Sequence, residues 1–308
     1  MSAPALFGLD LFGEPVLPQH RSPVLDRFTL PPFSIWDARS GAWSERKRAW
    51  IAAGVDDGSG REAPSIGCPT SSWDKSSGES GTAAVTSIFD PVVAELAYTW
   101  FSPSGGSVLD PFAGGACRGM VAAHMGRRYW GCDLRSEQVE ANRKTAGRSG
   151  SLLGSAEWVV GDAIDSVPSA PRADLVFSCP PYGDLEVYSD NPKDLSNMEW
   201  ETFRAAYRRV VMRSLERLRD DRFAVFVVGD FRDPTGRLRG FVHDTVAAFT
   251  ECGAHFYNHA IYSTPCGSAP MRSFQFDIGR KLIKTHQDVL VFVKGDPRRA
   301  AEACVGVR

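Results

Sequence analysis

The sequence lacks the cysteine patterns that hold metal ions or disulfide frameworks. Its seven cysteines include no Cys-x-x-Cys pair, so neither a zinc ribbon nor a disulfide-stapled fold is indicated. No apolar stretch approaches the roughly 18 residues that span a bilayer, and residues 1–18 show no secretion signal. These absences predict a cytoplasmic protein with free thiols.

An excess of charge of one sign is also missing. The 308 residues include 35 Lys and Arg against 37 Asp and Glu, a formal net charge of −2. No overall positive field would attract a polyanion, so nucleic acid would have to be held by local clusters of basic residues. The composition, 43% hydrophobic and 23% charged, is typical of a globular chain and is compatible with one large domain and an additional arm.

Residues 1–85 differ in composition from the rest of the chain. Pro-rich and Ser/Gly-rich stretches surround one predicted helix at 44–53, which is typical of an arm that folds onto a larger body. Tryptophans and basic residues lie close together here, and they either stack on bases and pair with phosphates or dock the arm. These residues are Trp36, Trp43, Trp50 and Trp73, with Arg39, Arg46, Lys47 and Arg48.

From about residue 87 onward, short runs rich in Val, Phe and Tyr alternate with amphipathic stretches. This alternation predicts an α/β fold with a doubly wound sheet of seven strands and helical crossovers. Ligands of such sheets bind beyond the carboxyl ends of the strands, where the strand order reverses. The predicted strands are 107–110, 129–133, 157–160, 174–178, 223–229, 255–262 and 289–293, and the predicted helices are 91–100, 117–125, 136–145, 199–219 and 241–252.

Acidic residues end three successive predicted strands. Asp110 begins Asp-Pro-Phe-Ala-Gly-Gly, where glycines allow close backbone approach to a ligand and the next helix offers its positive end. Asp133 follows about 20 residues later, where doubly wound folds hold ribose hydroxyls. Asp162 suits either an adenine amine or the cap of the next helix. The loop matches neither the dinucleotide nor the phosphate-loop fingerprint, and the three acids favour a nucleoside ligand.

The predicted strand 174–178 is followed by Cys179-Pro180-Pro181-Tyr182. Two consecutive prolines stiffen the backbone and leave carbonyl groups free to face a ligand, and an aromatic ring can lie over a planar group. The alternative is a stiff loop that begins with a buried cysteine. Beside three acids of the nucleoside type, the pattern favours a site for an aromatic amine.

These four motifs resemble those of the S-adenosylmethionine-dependent amino-group DNA methyltransferases, in the order called gamma-type. The resemblance covers about residues 89–296. Shorter stretches at 31–34, 178–189, 228–233 and 284–287 look like phage and prophage DNA methylases, which implies a bacterial or phage-encoded protein of DNA modification. Whether a restriction enzyme accompanies it is left open.

The resemblance implies a methyltransferase domain at 86–297, between the arm at 1–85 and a tail at 298–308. It implies S-adenosylmethionine as cofactor, no metal, and methyl transfer to N4 of cytosine or N6 of adenine in a flipped base. The implied cofactor-binding residues are Phe89, Asp110, Pro111, Phe112, Ala113, Gly114, Gly115, Asp133, Leu134, Asp162 and Ala163. The implied catalytic residues are Cys179, Pro180, Pro181 and Tyr182.

One position departs from the family, which carries Asp, Asn or Ser where Cys179 stands. A thiol is a weak donor and a weak acceptor, so the carbonyl of Pro180 would make more of the contact with the target amine. The size of cysteine is closest to the serine form, which leans towards N4-cytosine without deciding the base. Covalent attack on cytosine C6 is disfavoured, because C5-methyltransferases lack this Pro-Pro-Tyr continuation.

Two later segments are expected to face the substrate. The loop after the tetrad contains Asp184, Glu186, Tyr188 and Asp190, and its carboxylates either assist proton loss from the amine or cap the loop. Asp230 and Arg232 follow a predicted strand, where they either line the base pocket or form an ion pair with each other.

A basic segment between the last two predicted strands contains Arg272, Arg280, Lys281 and Lys284. It would either straddle a phosphate backbone or remain solvated. Two further functions stay open: methylation of an RNA amine, and a non-catalytic subunit that binds the cofactor and presents DNA to a partner. The oligomeric state is not predicted.

A short apolar motif near the start of the chain is not explained by methyl transfer. Leu9, Leu11 and Phe12 resemble the anchors with which bacterial polymerases and repair proteins dock on the sliding clamp. Such anchors would enter an apolar groove and tether the enzyme to newly replicated DNA. The alternative is packing of this segment on its own domain.

Overall fold

The computed structural model describes residues 28–55, 89–149, 152–183, 189–266 and 269–305. Several residues singled out above lie outside these ranges: Leu9, Leu11, Phe12, Trp73, Asp184, Glu186 and Tyr188. Within the described ranges, no helix is both long and apolar enough to cross a bilayer.

Eight strands form one sheet in the described part of the chain. They are β1 (Ile35–Asp37), β2 (Ser107–Asp110), β3 (Arg128–Asp133), β4 (Ser155–Val160), β5 (Ala173–Ser178), β6 (Leu218–Val228), β7 (His255–Ser263) and β8 (His286–Lys294). Their order is β1-β7-β8-β6-β5-β2-β3-β4, and only β8 runs antiparallel to its neighbours. The predicted doubly wound α/β sheet is confirmed, with its reversal between β2 and β5.

Nine α-helices connect or flank these strands in the described residues. They are α1 (Gly41–Ala52), α2 (Pro91–Phe101), α3 (Cys117–His124), α4 (Ser136–Arg148), α5 (Ala163–Ser166), α6 (Trp200–Arg217), α7 (Phe241–Glu251), α8 (Phe274–Gly279) and α9 (Pro297–Cys304). The start of α2 shows the local reason for a boundary. Pro91 takes the first helical position and the Asp90 carboxylate accepts the Val92 N–H at 3.0 Å.

The central strands are buried on both faces, as expected for a parallel sheet covered by helices on each side. On β5, Leu175 and Phe177 belong to one apolar cluster, while Val176 belongs to the other. The first cluster packs against α2 and α3, and the second packs against α6 and α7. This double burial fixes the carboxyl ends of the central strands at one edge of the sheet.

The eighth strand was not predicted and comes from the arm. Residues Ile35 to Asp37 pair in parallel with Ile261 to Ser263 of β7, so the arm extends the sheet by one edge strand. Part of the predicted tail also belongs to the body: α9 packs on the sheet and fully buries Ala300. Strand β1 was missed because its three residues are too few to show the alternation that reveals longer strands.

Tryptophans dock the arm onto the body. Trp43 is 1% exposed and stacks on Tyr262, with ring centroids 5.3 Å apart. Its indole N–H donates to Asp90, and that of Trp50 donates to Glu95 at 2.8 Å. Because Trp36 is buried as well, these three rings stabilise the fold and are not available for stacking on bases.

Candidate functional site

A cavity of about 580 Å³ opens at the carboxyl edge of the sheet. Its wall runs from the end of β4, past the reversal between β2 and β5, to the end of β7. Of the eleven residues predicted to bind a cofactor, nine line this cavity, namely Phe89, Pro111, Phe112, Gly114, Gly115, Asp133, Leu134, Asp162 and Ala163. All four predicted catalytic residues line it as well.

The loop between β2 and α3 shapes one end of the cavity, which we call the cofactor half. Gly114 adopts a positive φ of 50°, and a Cβ added there would meet no atom within 4 Å. Backbone in this conformation favours glycine. The Asp133 carboxylate accepts the Gly114 N–H through Oδ2 and the Arg135 N–H through Oδ1, each at 2.9 Å. Asp133 thereby holds the glycine loop in place while it faces the cavity.

Burial raises the pKa of Asp133, and backbone hydrogen bonds from Arg135 and Gly114 partly oppose this shift. Further along the wall, Asp162 Oδ1 accepts the Ile164 N–H at 2.9 Å. Asp162 therefore caps α5 and lines the cavity at once. The helix-cap interpretation therefore holds. The other oxygen, Oδ2, lies 3.9 Å from the ammonium of Lys193, which also lines the cavity.

Asp110 lies behind the cavity wall rather than on it. Its side chain is fully buried. Oδ2 accepts from Arg118 Nε at 2.6 Å and from the Tyr129 hydroxyl at 2.7 Å. Oδ1 accepts from the Ser178 hydroxyl at 2.5 Å and from the Phe112 N–H at 3.1 Å. Four protein donors thus occupy this carboxylate, which joins the glycine loop to the end of β5. Ala113, also predicted to contact the cofactor, is completely buried too.

Arg118 is a site residue that the sequence did not suggest. It lies on α3, its guanidinium is nearly buried beside Asp110, and it donates to the Ala113 carbonyl at 3.1 Å. The same group covers the Phe89 ring at 4.7 Å from the ring centre. Arg118 therefore fixes both the glycine loop and an aromatic residue of the cavity wall.

The Cys179–Tyr182 turn separates the cofactor half from the other end of the cavity, the target half. Tyr182 is half-buried, and its ring contacts Phe231 and Phe241. The next residue, Gly183, has a φ of 52°, and a Cβ there would lie 3.0 Å from Phe231. Glycine is therefore required to turn the chain away from the aromatic cluster that supports Tyr182.

Two predictions for the target half are only partly met. Asp230 lines the cavity, but its Oδ1 accepts the N–H groups of Gly240 and Phe241 at 2.9 and 3.1 Å, so it organises the start of α7. Arg232 does not line the cavity and donates to the Gly236 carbonyl. The two residues therefore act separately, and the ion pair considered from the sequence is not formed.

Lys284 also differs from its prediction as a phosphate contact. Its ammonium reaches into the target half and donates to the Asp230 carbonyl at 3.2 Å. A Cβ added to Gly229 would lie 2.7 Å from this ammonium and 3.9 Å from Tyr182 Cζ, so the two side chains flank one point above Gly229. Burial lowers the pKa of Lys284. The basic segment thus divides into an inward lysine and outward residues.

The other basic residues of this segment do not line the cavity. Arg272 and Arg280 are exposed, and Lys281 approaches Gly236 in the loop that follows β6. That loop adds three arginines, and the acids of the two segments are Asp230, Asp233 and Asp277. We call these basic residues the rim; they are Arg232, Arg237, Arg239, Arg272, Arg280 and Lys281.

Other residues of the cavity wall were not assigned to the site from the sequence. They are Lys47, Asp90, Val93, Arg118, Cys132, Arg135, Gln138, Gly161, Lys193, Asp194, Leu195, Val210, Gly229, Tyr262, Thr264, Pro265, His286 and Gln287. Most of them sit on elements far apart in sequence, so only the fold brings them together. Thr264 and His286 could have been proposed as site residues from the sequence, because they lie just after the predicted strand 255–262 and just before the predicted strand 289–293.

No protein-family model and no curated protein matches this chain. Among solved structures, it is similar to TrmN from Thermus thermophilus, at 16% identity and a TM-score of 0.46 over 67% of this chain and 49% of TrmN. It thus spans about half the length of TrmN. A TehB-like S-adenosylmethionine-dependent methyltransferase from Corynebacterium glutamicum is 19% identical, with a TM-score of 0.42 over 69% of this chain and 91% of that one.

A third similar structure is a candidate DNA modification methylase, also from Thermus thermophilus. It is 22% identical, with a TM-score of 0.34 over 44% of this chain and 51% of its own. All three are distant likenesses. The architecture of this protein is therefore defined by its own strand order, and its function has to be argued from the geometry of the cavity.

Proposed function

We propose that this protein is an S-adenosylmethionine-dependent methyltransferase that modifies the exocyclic amine of a flipped base in DNA. The observation that carries the proposal is the single cavity in which the Gly114 loop and Asp133 lie at one end and the Cys179–Tyr182 turn lies beside them. A nucleoside-type cofactor and a planar amine bound in its two halves would face each other at the reversal of the sheet.

The cofactor half fits an S-adenosyl nucleoside. The open space at Gly114 admits a ligand against the backbone, and Asp133 keeps lone pairs that can accept from ribose hydroxyls. Asp162, between Gly161 and Ala163 on the wall, is suited to the adenine amine. When bound, this cofactor supplies an activated methyl group on a positively charged sulfur.

In the target half, the ring of Tyr182 would stack on the base, and the carbonyl of Pro180 would accept from its amine. The amine nitrogen forms a bond to the methyl carbon while the carbon–sulfur bond breaks and its electrons stay on sulfur. The nitrogen then loses a proton to water. The contribution of the chain is to hold nitrogen and carbon roughly 3 to 3.5 Å apart and in line.

The rim supports a nucleic acid rather than a small free amine as substrate. Six basic residues lie on the two segments that join β6 to α7 and β7 to β8, which also carry the cavity-wall residues Asp230, Pro265 and Lys284, although the whole chain has a formal net charge of −2. Contacts from such residues to phosphates position a duplex without reading its sequence. A base buried in a duplex must swing out to enter the cavity, and the rim would hold the strands on either side.

The proposal is tested by transfer of radiolabelled methyl groups from S-adenosylmethionine to DNA and to RNA, followed by nucleoside analysis. We expect label in N4-methylcytosine or N6-methyladenine from DNA. Label found only in RNA would favour the second candidate, an RNA amino-group methyltransferase. Cofactor binding without transfer to either polymer would favour a non-catalytic subunit.

Replacement of Tyr182 by Ala tests the target half. Base stacking is worth about 1 to 3 kcal/mol, so we expect turnover to fall by about 10- to 100-fold while cofactor affinity stays the same. Cys179→Ser should retain activity. Loss of activity in Cys179→Ser, together with a covalent adduct between the wild-type protein and 5-fluorocytosine DNA, would contradict transfer to an amine.

A further inference from the structure

The thiol of Cys179 leaves the target half short of a hydrogen-bond acceptor. Its Sγ lies 3.5 Å from the Tyr182 hydroxyl, and sulfur accepts hydrogen bonds weakly. An amine held for methyl transfer needs its N–H groups fixed, because their direction determines where the nitrogen lone pair points. Another group on the cavity wall therefore has to be considered for this contact.

Gln287 is brought to this place by the reversed direction of β8. Because β8 is antiparallel to β6 and β7, its first residues lie at the same edge as the carboxyl ends of the parallel strands. Gln287 is the second residue of β8, lines the cavity and donates from Nε2 to the Tyr182 hydroxyl at 3.0 Å. The contact spans 105 positions in the sequence.

The hydrogen bond to Tyr182 orients the carboxamide of Gln287. It uses the nitrogen, and among the described residues no donor contacts the oxygen Oε1. A carboxamide oxygen accepts two hydrogen bonds. Nearby polar groups are engaged differently: Lys284 can only donate, and Asp288 accepts from His259 at 2.9 Å and lies 4.0 Å from Lys284. Gln287 is thus a neutral acceptor beside the Cys179–Tyr182 turn.

We propose that Gln287 is a catalytic residue that accepts a hydrogen bond from the target amine, replacing the acceptor that Cys179 does not provide. This inference rests on the proposed transfer to an exocyclic amine. The carboxamide oxygen and the Pro180 carbonyl hold the two N–H groups, which leaves the nitrogen lone pair directed at the methyl carbon. Gln287 remains neutral throughout, and the proton of the product leaves to water.

The test compares single-turnover methyl transfer in four variants. Gln287→Leu removes the acceptor and should slow transfer by about 10- to 100-fold, with affinities for cofactor and DNA within about twofold of wild type. Gln287→Glu keeps acceptor oxygens and should slow it less than about tenfold. Tyr182→Phe keeps the stacking ring but removes the hydroxyl that orients Gln287, so we expect it to lose part of the rate, and less than Gln287→Leu loses. Asn258→Ala removes an exposed carboxamide on β7 and serves as the matched control.

Rescue gives the decisive comparison. Cys179→Asn places a carboxamide acceptor at the position where the resembled family has one, so adding it to Gln287→Leu should restore at least about tenfold of the lost rate. Full activity of Gln287→Leu, or failure of Cys179→Asn to rescue it, would each overturn the inference while leaving the proposed function intact. A wild-type protein that methylates no amine in DNA or RNA would overturn both.

Discussion

Two acids at neighbouring strand ends have different physical roles in this protein. Asp133 faces the cavity and keeps lone pairs for a ligand, whereas Asp110 is saturated by four protein donors. Both follow the same sequence pattern, an acid that ends a buried strand. The difference arises because Tyr129 and Arg118 lie next to Asp110 in the fold. Their distances from Asp110 along the sequence match no known motif, so the sequence does not reveal these contacts.

The cofactor affinity of the protein should depend on the charge of Asp133. Burial raises its pKa above the usual 3.8, so protonation begins at a higher pH than for an exposed aspartate and removes an acceptor for ribose hydroxyls. Affinity should therefore fall as the pH is lowered from neutral. Calorimetry should also show a loss of about 1 to 3 kcal/mol at neutral pH in Asp133→Ala. A folded Asp133→Ala variant with unchanged affinity would contradict this assignment.

Removal of the Asp110 charge should lower the stability of the fold itself, and not only the affinity for a ligand. Asp110→Asn leaves the buried guanidinium of Arg118 without its counterion, and breaking such a pair costs about 3 to 5 kcal/mol. Chemical denaturation should show this loss in the absence of any cofactor. The matched change Glu216→Gln, at an exposed ion pair with Arg213, should cost less than about 1 kcal/mol. Equal effects of the two changes would argue against a central role for Asp110.

At the scale of elements, regular alternation predicted the central strands well. The prediction of 107–110 coincides with β2, and 174–178 differs from β5 by one residue. Strand β6 begins five residues earlier than the predicted 223, because Arg219 to Arg222 is a charged stretch without apolar alternation. Tertiary pairing with neighbouring strands extends β6 there, and such pairing is not contained in a local pattern.

The residues of the candidate site could be predicted from the sequence only where a local pattern marks them. Residues that directly follow a strand, such as Asp133 and Tyr182, could be found because the fold class places strand ends together. Gln287 and Lys47 could not, since their place on the cavity wall depends on the antiparallel direction of β8 and on the docking of α1. Both depend on contacts between distant parts of the chain.

The joint between α1 and α2 should control how firmly the arm is held. Glu95 is nearly buried and binds Arg46 and the Trp50 indole. Glu95→Ala leaves these donors without their acceptor, at a cost of about 1 to 3 kcal/mol. Hydrogen exchange of the α1 amides should become faster, whereas Glu45→Ala on the exposed face of α1 should leave it unchanged. Unaltered protection in Glu95→Ala would show that the remaining contacts, including the pairing of β1 with β7, are enough to hold the arm.

At the scale of the whole molecule, positive and negative charges are nearly balanced, but the two loops that carry the rim hold its six basic residues and only three acids. These loops follow β6 and β7, at the edge of the sheet where the cavity opens, while α9 follows the far end of β8 and carries exposed Arg298 at the opposite edge. Position rather than total charge therefore distinguishes the basic residues that would meet a polyanion. The arginines of the rim can therefore be compared with Arg298 in their effect on DNA binding.

The rim should account for a measurable part of the salt dependence of DNA binding. Each lost phosphate contact lowers the slope of log affinity against log salt by about 0.9, so Arg272→Ala with Arg280→Ala should lower it by roughly 2. The loss should be similar for unrelated DNA sequences. Arg298→Ala removes an exposed charge at the opposite edge and should leave the slope unchanged. A slope that responds equally to both sites would argue for diffuse charge instead of a defined interface.

The order of the strands along the chain also means that the two halves of the cavity are synthesised at different times. Strands β2 to β5, which carry the Gly114 loop and Asp133, have all emerged from the ribosome soon after Ser178 is added. The target half needs β8, and Tyr262, which also lines the cavity, donates to Asp90, 172 positions away in the sequence. Contacts of such long range form late, because they must wait for the later segment and close a large loop. A nascent chain can therefore assemble its cofactor half well before its target half is complete.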